Sequence, residues 1–573
     1  MLHSARRDRA QRKVAPVSSE TFDLVVVGAG AAGMAAAALA AAEGMCVLLL
    51  EHAAQVGGTT AISGGMVWIP ANRKMAAAGR EDSLDAARTY LAHTMAAPSD
   101  AAPLEAFLTH GDDAIATLER QTALRLQPVL NYPDYEPDLP GATVGGRVLE
   151  PVPFNARALG KDFALLRAPL PEFTLFGGMM IARPDIPHLR RAARSPFSAW
   201  HVARLLARHA RERLHAPRGS SLVLGNALAG WLLHSVRERG VELRTGATVR
   251  RLLFDAGRVT GVEFEHAGLR RQALAARGVV LASGGLSHDA ALRARFVPPA
   301  AGTLSATVGD ASATSGGALA AALGARLSGN GQRRAFWVPA SQYVRGDGSQ
   351  AVYPHTVADR AKPGLIAVNR HGRRFANEAR SYHAFVRAQL DADAVPAWLV
   401  CDRHFLWRYG LGAVKPFAWT LGGFVRSGYL HRADTLDALA RSLGLPADAF
   451  ADTVHRFNID ARQGRDPAFG RGGDIYQRHL GDAEHRPNPC VAAIEVAPFY
   501  AVEVRPADLG MAAGLVTDAT ARVLGADGAP IAGLYACGND MQSVMNGAYP
   551  GPGITLGPAL VFAVLAVRDA MRG

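Results

Sequence analysis

At 573 residues, 49% hydrophobic and 20% charged, the chain can bury a large core; two domains are expected and a disordered chain is excluded. The net charge of +12 is concentrated at Arg6, Arg7, Arg9, Arg12 and Lys13 and again between Arg190 and Arg218. Neither run resembles a nucleic-acid module with interleaved stacking aromatics, so no nucleic-acid partner is expected.

Residues 1–20 read as a basic, disordered leader. Arg6-Arg7 is followed by no apolar run before Phe22, which excludes a secretory or twin-arginine signal. The four cysteines, Cys46, Cys401, Cys490 and Cys537, include no close-spaced pair. Neither a disulfide framework nor a metal site is expected, and the expected compartment is the cytoplasm.

Phe22 to Val27 predicts a buried parallel strand, bounded by Gly28. Gly28, Gly30, Ala32 and Gly33 open an alanine-rich helix that ends at Gly44, and a second strand from Cys46 runs to Glu51. The spacing suits a dinucleotide: Gly28 for a tight turn, Gly30 for approach of a pyrophosphate, Gly33 for close helix–strand packing. The helix N-terminus supplies amide donors to phosphates. Glu51, 23 residues after Gly28, is placed to accept hydrogen bonds from ribose hydroxyls. The run from Ala29 to Leu50 is apolar enough to mimic a membrane span, but Glu43, Gly44 and the glycine pattern favour a buried helix and strand.

Gly58, Thr59 and Thr60, then Ser63, Gly64 and Gly65, put small residues and hydroxyls beyond the ribose-binding strand, as a loop along an extended dinucleotide requires. The stretch from Arg190 to Arg218 reads as a solvated helix face, with weak peripheral contact to anionic lipid as the alternative. A returning strand at 278–285, ending in Gly284, belongs with the nucleotide unit. Charge and aromatic content rise after Gly331, and the nucleotide pattern resumes near Val502.

Residues 533–540 predict a strand ending in Gly538, Asn539 and Asp540, and Thr555 and Leu556 open the last helix. Its N-terminal amides suit a flavin ring, stabilising negative charge on the reduced form. The cofactor expected is therefore FAD. The apolar tail from Ile554 to Val567 is interrupted by Gly557-Pro558 and is too short to span a membrane.

Several motifs together resemble the fumarate reductase/3-ketosteroid dehydrogenase flavoproteins, most closely the 3-ketosteroid Δ1-dehydrogenase branch. They are Gly57-Gly58-Thr59, Ser63 through Pro70, Tyr132-Pro133-Asp134-Tyr135, Gly225 through Leu228, Lys362-Pro363-Gly364, Gly372 through Glu378, and Tyr549-Pro550-Gly551-Pro552-Gly553. The resemblance covers nearly the whole chain from Thr21. It implies an α/β fold: a Rossmann-like FAD-binding domain built from both ends of the chain (21–333 and 504–573), with an α+β catalytic cap domain inserted at 334–503.

The resemblance also implies a chemistry: a hydride leaves C1 and a proton leaves C2 of a 3-ketosteroid. Tyr549 and the backbone amide of Gly553 match the positions that hold the C3 carbonyl, an oxyanion hole in physical terms. Tyr382 matches the tyrosine that takes the C2 proton. A free phenol titrates near 10, so a second tyrosine is expected to favour its ionised form, with Tyr135 and Tyr132 the two candidates. Thr59 to Ser63 lacks the histidine that carries covalent FAD in succinate dehydrogenases, so noncovalent FAD is implied. The expected partners are an apolar ketone and a quinone-like electron acceptor.

Arg360, Arg373 and Arg374 lie near the segment that carries an acid-donating arginine in fumarate reductases, Arg360 one position out of register. Met511, Asn546, Arg380 and Ser381 depart from the branch's usual residues near the pocket. Three alternatives stay open: a Δ4-(5α)-dehydrogenase, a fumarate reductase-like reductase of small unsaturated acids, and a flavin-binding protein without turnover.

Overall fold

The computed structural model describes residues 19–95, 101–309, 312–328 and 334–573. Arg6, Arg7, Arg9, Arg12 and Lys13 of the expected leader lie outside the described residues.

In chain order, the elements that frame the site begin with strand β1 (Ser19–Val27), helix α1 (Ala31–Ala42) and strand β2 (Val47–Glu51). Helices α2 (Ala101–Gln121) and α3 (Pro196–Arg213) follow, then strands β3 (Glu242–Thr245), β4 (Ala247–Asp255), β5 (Arg258–His266) and β6 (Leu269–Leu281). A second group comprises β7 (Ala335–Val344), β8 (Gln350–Pro354), β9 (Leu365–Val368), α4 (Tyr382–Asp391), β10 (Ala397–Asp402), β11 (His431–Ala433) and β12 (Phe499–Met511). The chain closes with β13 (Arg522–Leu524), β14 (Pro530–Ala536) and α5 (Leu556–Arg572).

The first sheet runs β13-β14-β5-β6-β1-β2-β3, with β4 paired to β5. Its centre is parallel, in the order β3-β2-β1-β6-β14. Pairing of Val279 with Leu534 and of Leu281 with Ala536 brings the end of the chain back beside its beginning. Strand residues Leu24 to Val27 and Leu48 to Leu50 are buried, as near-continuous apolar runs in a covered parallel sheet should be.

Helix α1 is buried from Ala31 to Ala40. Its alanines leave room for α5, which packs against it and which α2 covers in turn. The apolar run from Ala29 to Leu50 is thus interior helix and strand. No helix among the described residues is long and apolar enough to cross a membrane.

The second sheet runs β8-β7-β12-β10-β9, with β11 paired to β12, and is antiparallel throughout. Strand β12 continues in this sheet to Met511, opposite Ala335. The division expected between residues 503 and 504 therefore falls inside a strand. A small core joins the two parts, in which Tyr132 and Tyr135 meet Val338, Tyr382 and Ala507, with Tyr549 packed against them.

Candidate active site

The first βα turn separates glycines that pack from glycines that leave space. Gly28 has φ +102°, and a Cβ there would lie 2.3 Å from the Ala282 carbonyl oxygen. At Gly33 it would lie 1.8 Å from the carbonyl oxygen of Gly28, so only hydrogen permits α1 to sit this close to β1. A Cβ on Gly30, Gly64 or Gly284 would meet nothing within 4 Å, and one on Gly58 would meet only Gly30 Cα, at 3.9 Å. Gly65 belongs to the packing group, since its Cβ would strike the Gly225 backbone nitrogen at 2.5 Å.

The expected loop after Gly57 is a short helix, Gly58–Ile62, capped at Ser63, and its hydroxyls organise backbone. Thr60 Oγ1 accepts from the Ala31 amide (3.2 Å), and Thr59 Oγ1 accepts from the Val308 amide (3.0 Å). Ser63 donates to the Thr60 carbonyl (2.8 Å) and accepts from the Gly65 amide (3.0 Å). The Glu51 carboxylate accepts from the amides of Ala29 (2.7 Å) and Ala53 (2.9 Å), while burial raises its pKa. These bonds fix Glu51 at the end of β2 and leave lone pairs on both oxygens.

Asp540 is fully buried and clamps the end of β6, accepting from the Ser283 amide, the Ser283 hydroxyl (3.0 Å) and the Gly285 amide (3.1 Å). Burial raises its pKa as well. Gly538 reaches the start of α1, where its Cβ would lie 3.2 Å from that of Ala32. A cleft opens beside it, lined by Gly538, Asn539, Thr555, Phe336, Met511 and Pro558. Open glycine backbone at Gly30, Gly58 and Gly64, an α1 N-terminus with no side-chain cap, and this cleft fit an extended dinucleotide.

Phe336 is also where the tyrosines begin, its ring 5.4 Å from that of Tyr549. Tyr382 is the first residue of α4, a helix capped by the Ser381 side chain. Its hydroxyl receives a hydrogen bond from Tyr135 (2.9 Å) and donates one to Tyr549 (2.8 Å). The rings of Tyr135 and Tyr549 are stacked at 5.5 Å and that of Tyr382 stands edge-on to both.

A rigid frame holds the three. The Tyr135 amide donates to the Pro550 carbonyl (2.9 Å), which also accepts from the Tyr90 hydroxyl (2.6 Å). Trp68 donates through Nε1 to Asp134 (2.9 Å) and through its amide to the Gly553 carbonyl (3.2 Å). Asp134 is paired with buried Arg147, itself paired with Asp82. Gly553 has φ +98°, and a Cβ there would lie 2.6 Å from Met66 backbone. No other residue fits this turn without moving β-structure beneath it.

Tyr132, the rival to Tyr135, is not in the hydroxyl chain. Its phenol is buried without a hydrogen-bond partner among the described residues, and its ring lies 4.7 Å from that of His479. Sequence reasoning missed Tyr476, whose ring is 4.8 Å from Tyr135 and whose buried hydroxyl also has no such partner. It follows the Asp474 N-cap of a short helix, a local signal that says nothing about the site.

Burial pushes the Tyr382 phenol well above its ordinary range; the proximity of Tyr549 adds to this and the bond from Tyr135 opposes it. Tyr135 is also raised by burial, and Tyr549 and Tyr132 are each pushed up to about 12. The resting site therefore holds protonated phenols.

Of the three arginines near α4, Arg373 is exposed and the other two are occupied. Arg374 pairs with buried Glu378 (2.9 Å) and Asp466 (2.8 Å), and Arg360 donates to the carbonyls of His355, Glu378, Arg380 and Thr356. Asn546 takes a left-handed φ of +47° and accepts from Arg334 at 3.0 Å.

A family model described as an FAD binding domain matches residues 23–556. A 4-oxocyclohex-2-ene-1-carboxylate 5-dehydrogenase of Sinomonas cyclohexanicum is 38% identical, covering 96% of this chain and 94% of its own. A 3-oxosteroid 1-dehydrogenase of Mycobacterium tuberculosis is 37% identical, covering 96% and 98%. The solved 3-ketosteroid delta1-dehydrogenase from Sterolibacterium denitrificans, in complex with 1,4-androstadiene-3,17-dione, superposes with a TM-score of 0.88 at 35% identity, covering 97% of this chain and 100% of that one. With its glycine track and linked tyrosines, the chain belongs to the 3-ketosteroid Δ1-dehydrogenase branch of the fumarate reductase/3-ketosteroid dehydrogenase superfamily, FAD-dependent oxidoreductases.

Proposed function

We propose that the chain dehydrogenates a 3-ketosteroid between C1 and C2. The observation that carries this reading is the Tyr382 hydroxyl held between those of Tyr135 and Tyr549. Noncovalent FAD, when bound, supplies the hydride acceptor and later passes electrons to a quinone-like acceptor. Its phosphates and ribose are assigned to the α1 N-terminus, Gly58 to Gly65 and Glu51, and its ring to the cleft at Gly538, Asn539 and Thr555.

Tyr382 already donates to Tyr549, so the hydrogen of Tyr549 is available to the C3 carbonyl, with the Gly553 amide as second donor. Both act most strongly as enolate charge develops on that oxygen. Polarisation of the ketone acidifies the C2 proton; Tyr382, which must first release its own phenolic proton to solvent, accepts it on its phenolate oxygen. Tyr135 keeps its hydrogen bond to that oxygen throughout and lowers the cost of the phenolate. The buried, aromatic surroundings exclude water and suit an apolar ring system. The catalytic part is residues 334–503, with β12 tying it to the nucleotide unit.

A second reading is favoured by the Sinomonas relative, whose name specifies a small oxocyclohexene carboxylate. The same hydroxyl chain would serve its ring ketone. Dye reduction by the FAD-loaded protein separates the two. Turnover of androst-4-ene-3,17-dione to the 1,4-diene is expected. Turnover of 4-oxocyclohex-2-ene-1-carboxylate alone would replace the steroid reading, and turnover of a 5α-reduced steroid at C4–C5 would change the regiochemistry.

A further inference from the structure

Two phenols beside the reacting tyrosines lack a partner. Tyr132 and Tyr476 share one small core with Tyr135 and Tyr382, and Tyr549 packs against it. Tyr476 is fully buried and Tyr132 nearly so, yet neither hydroxyl has a hydrogen-bond partner among the described residues. A buried hydroxyl left unpaired is costly, so two together mark a place where a bound group completes the bonds.

The charge around them is positive. Arg360 is buried, and its guanidinium donates to the backbone carbonyls of His355, Thr356, Glu378 and Arg380. Its neighbour Asp359 directs its carboxylate to His355, to the Gly412 amide and to the Arg360 amide. Lys362, also buried, donates to the carbonyls of Leu480 and Gly481, at the end of the short helix Ile475–Leu480 that carries Tyr476. Neither cation forms an ion pair among the described residues, and the buried acids Glu378 and Asp466 are already held by Arg374 and Arg471.

A third cation is closer still. The Arg183 guanidinium lies 5.4 Å from the centre of the Tyr132 ring; it reaches Glu150 at 3.5 Å, and its Nη2 has no hydrogen-bond partner among the described residues. Burial raises the pKa of both phenols, while the charge of Arg360 acts the opposite way on each and that of Arg183 on Tyr132. Both hydroxyls are thus neutral donors in a positive field, the setting in which an anion is bound.

We propose that Tyr132 and Tyr476, with Arg183 beside them, form an anion subsite that holds a carboxylate carried by the ketone substrate. The inference rests on the assignment of that ketone to Tyr549 and Gly553. The Tyr135 ring lies between the two subsites, stacked at 5.5 Å on Tyr549 and 4.8 Å from Tyr476. A single six-membered ring with its carboxylate opposite the ketone is the simplest bridge between them; a steroid must bring a carboxylated side chain. A neutral, wholly apolar ligand leaves both hydroxyls unpaired and the positive charge uncompensated.

The test is equilibrium binding of 4-hydroxybenzoate and of its methyl ester to the FAD-loaded protein, read from the flavin absorbance spectrum and by calorimetry. The acid should bind about ten-fold or more tightly than the ester, the effect of a hydrogen bond to a charged group. Tyr132→Phe and Tyr476→Phe remove only unpaired oxygens; each should lower that preference and the two together should erase it. Arg183→Gln gives the same readout should the double variant lose FAD. Equal affinity for acid and ester in the parent, or a preference that the double variant keeps, overturns the proposal and leaves the hydroxyls to buried water. Dye reduction then identifies the carrier, and either one supports the subsite: 4-oxocyclohexanecarboxylate for a carboxylate across one ring, a 3-oxo-4-ene steroid acid for a side-chain carboxylate. If the acid preference holds and no ketone is dehydrogenated, the subsite stands and the reaction assigned to Tyr382 fails. Turnover without any acid preference removes the subsite alone.

Discussion

The hydroxyls of Tyr382 and Tyr549 lie 2.8 Å apart although 167 residues separate them in the chain. One opens α4, which packs on β7 of the second sheet, and the other lies in a glycine loop before α5, which packs on α1 beside the first sheet. The bond therefore crosses the junction of the two parts, and a shift of either would break it.

Removing either hydroxyl tests the roles given to them. Tyr382→Phe should retain FAD and lower kcat by about 10²- to 10⁴-fold, the range for loss of a general base. Tyr549→Phe should cost about 10²- to 10³-fold through loss of an oxyanion donor. The FAD absorbance spectrum and stopped-flow reduction by substrate report both quantities. Full reduction rates in either variant would remove that residue from the mechanism.

The pH profile follows from the direction of the Tyr382 shift. A base whose phenol sits well above its ordinary range is protonated at neutral pH. Log kcat/KM should rise with pH across the alkaline range without a plateau near neutrality. Tyr135→Phe removes the interaction that lowers the Tyr382 pKa, so its profile should move to still higher pH. A pH-independent rate in the parent enzyme would exclude Tyr382 as the base. Stability should move oppositely. The folded state keeps these phenols neutral, so their contribution is complete below the unfolded value near 10 and is lost above it as the unfolded chain ionises first.

What the sequence made legible was local. Strand, glycine turn, helix and Glu51 fall within one βα unit, and their spacing is dictated by packing distances such as that of Gly33 against Gly28. Tyr382 and Tyr549 could be named only through resemblance, because a phenol that will face another carries no local mark. The choice between Tyr132 and Tyr135 depended on which ring turns toward α4, a tertiary matter. Tyr476 and the ion pairs of Arg147 were invisible for the same reason. The division between residues 503 and 504 follows a change in composition, and it falls within the strand β12, whose continuity to Met511 is set by pairing with β7 and carries no compositional mark.

The buried network under the site should be far more sensitive to acid and to mutation than surface pairs. Glu378 is completely buried and accepts from Arg374 and from Arg471 (2.8 Å). Burial opposes its charge, but the two guanidinium groups and the Ala367 amide hold its pKa below the ordinary value. Its contribution is present at neutral pH and lost as pH falls below the usual carboxylate range through the folded value. Glu378→Ala leaves two buried guanidinium groups short of a partner and should destabilise the protein by about 3–5 kcal/mol. Urea unfolding of the purified variant measures this, and a change under ~1 kcal/mol would show that water replaces the carboxylate.

Gly30 and Gly33 make opposite demands on the same turn, so one substitution at each separates cofactor binding from folding. Gly33→Ala puts a methyl group 1.8 Å from the Gly28 carbonyl oxygen, which neither backbone can yield without parting α1 from β1. Low soluble yield or a strongly reduced melting temperature is expected, with or without FAD. Gly30→Ala puts its methyl group into open space, with nothing of the protein within 4 Å. The FAD-free variant should melt within a few degrees of the FAD-free parent. If that space is where the pyrophosphate approaches the backbone, its FAD affinity should fall by about ten-fold or more, since even one lost close contact of ~1.4 kcal/mol gives that factor. Titration of the FAD-free protein with FAD, followed by flavin fluorescence, measures the affinity directly. Parental affinity in Gly30→Ala would place the pyrophosphate elsewhere along the glycine track.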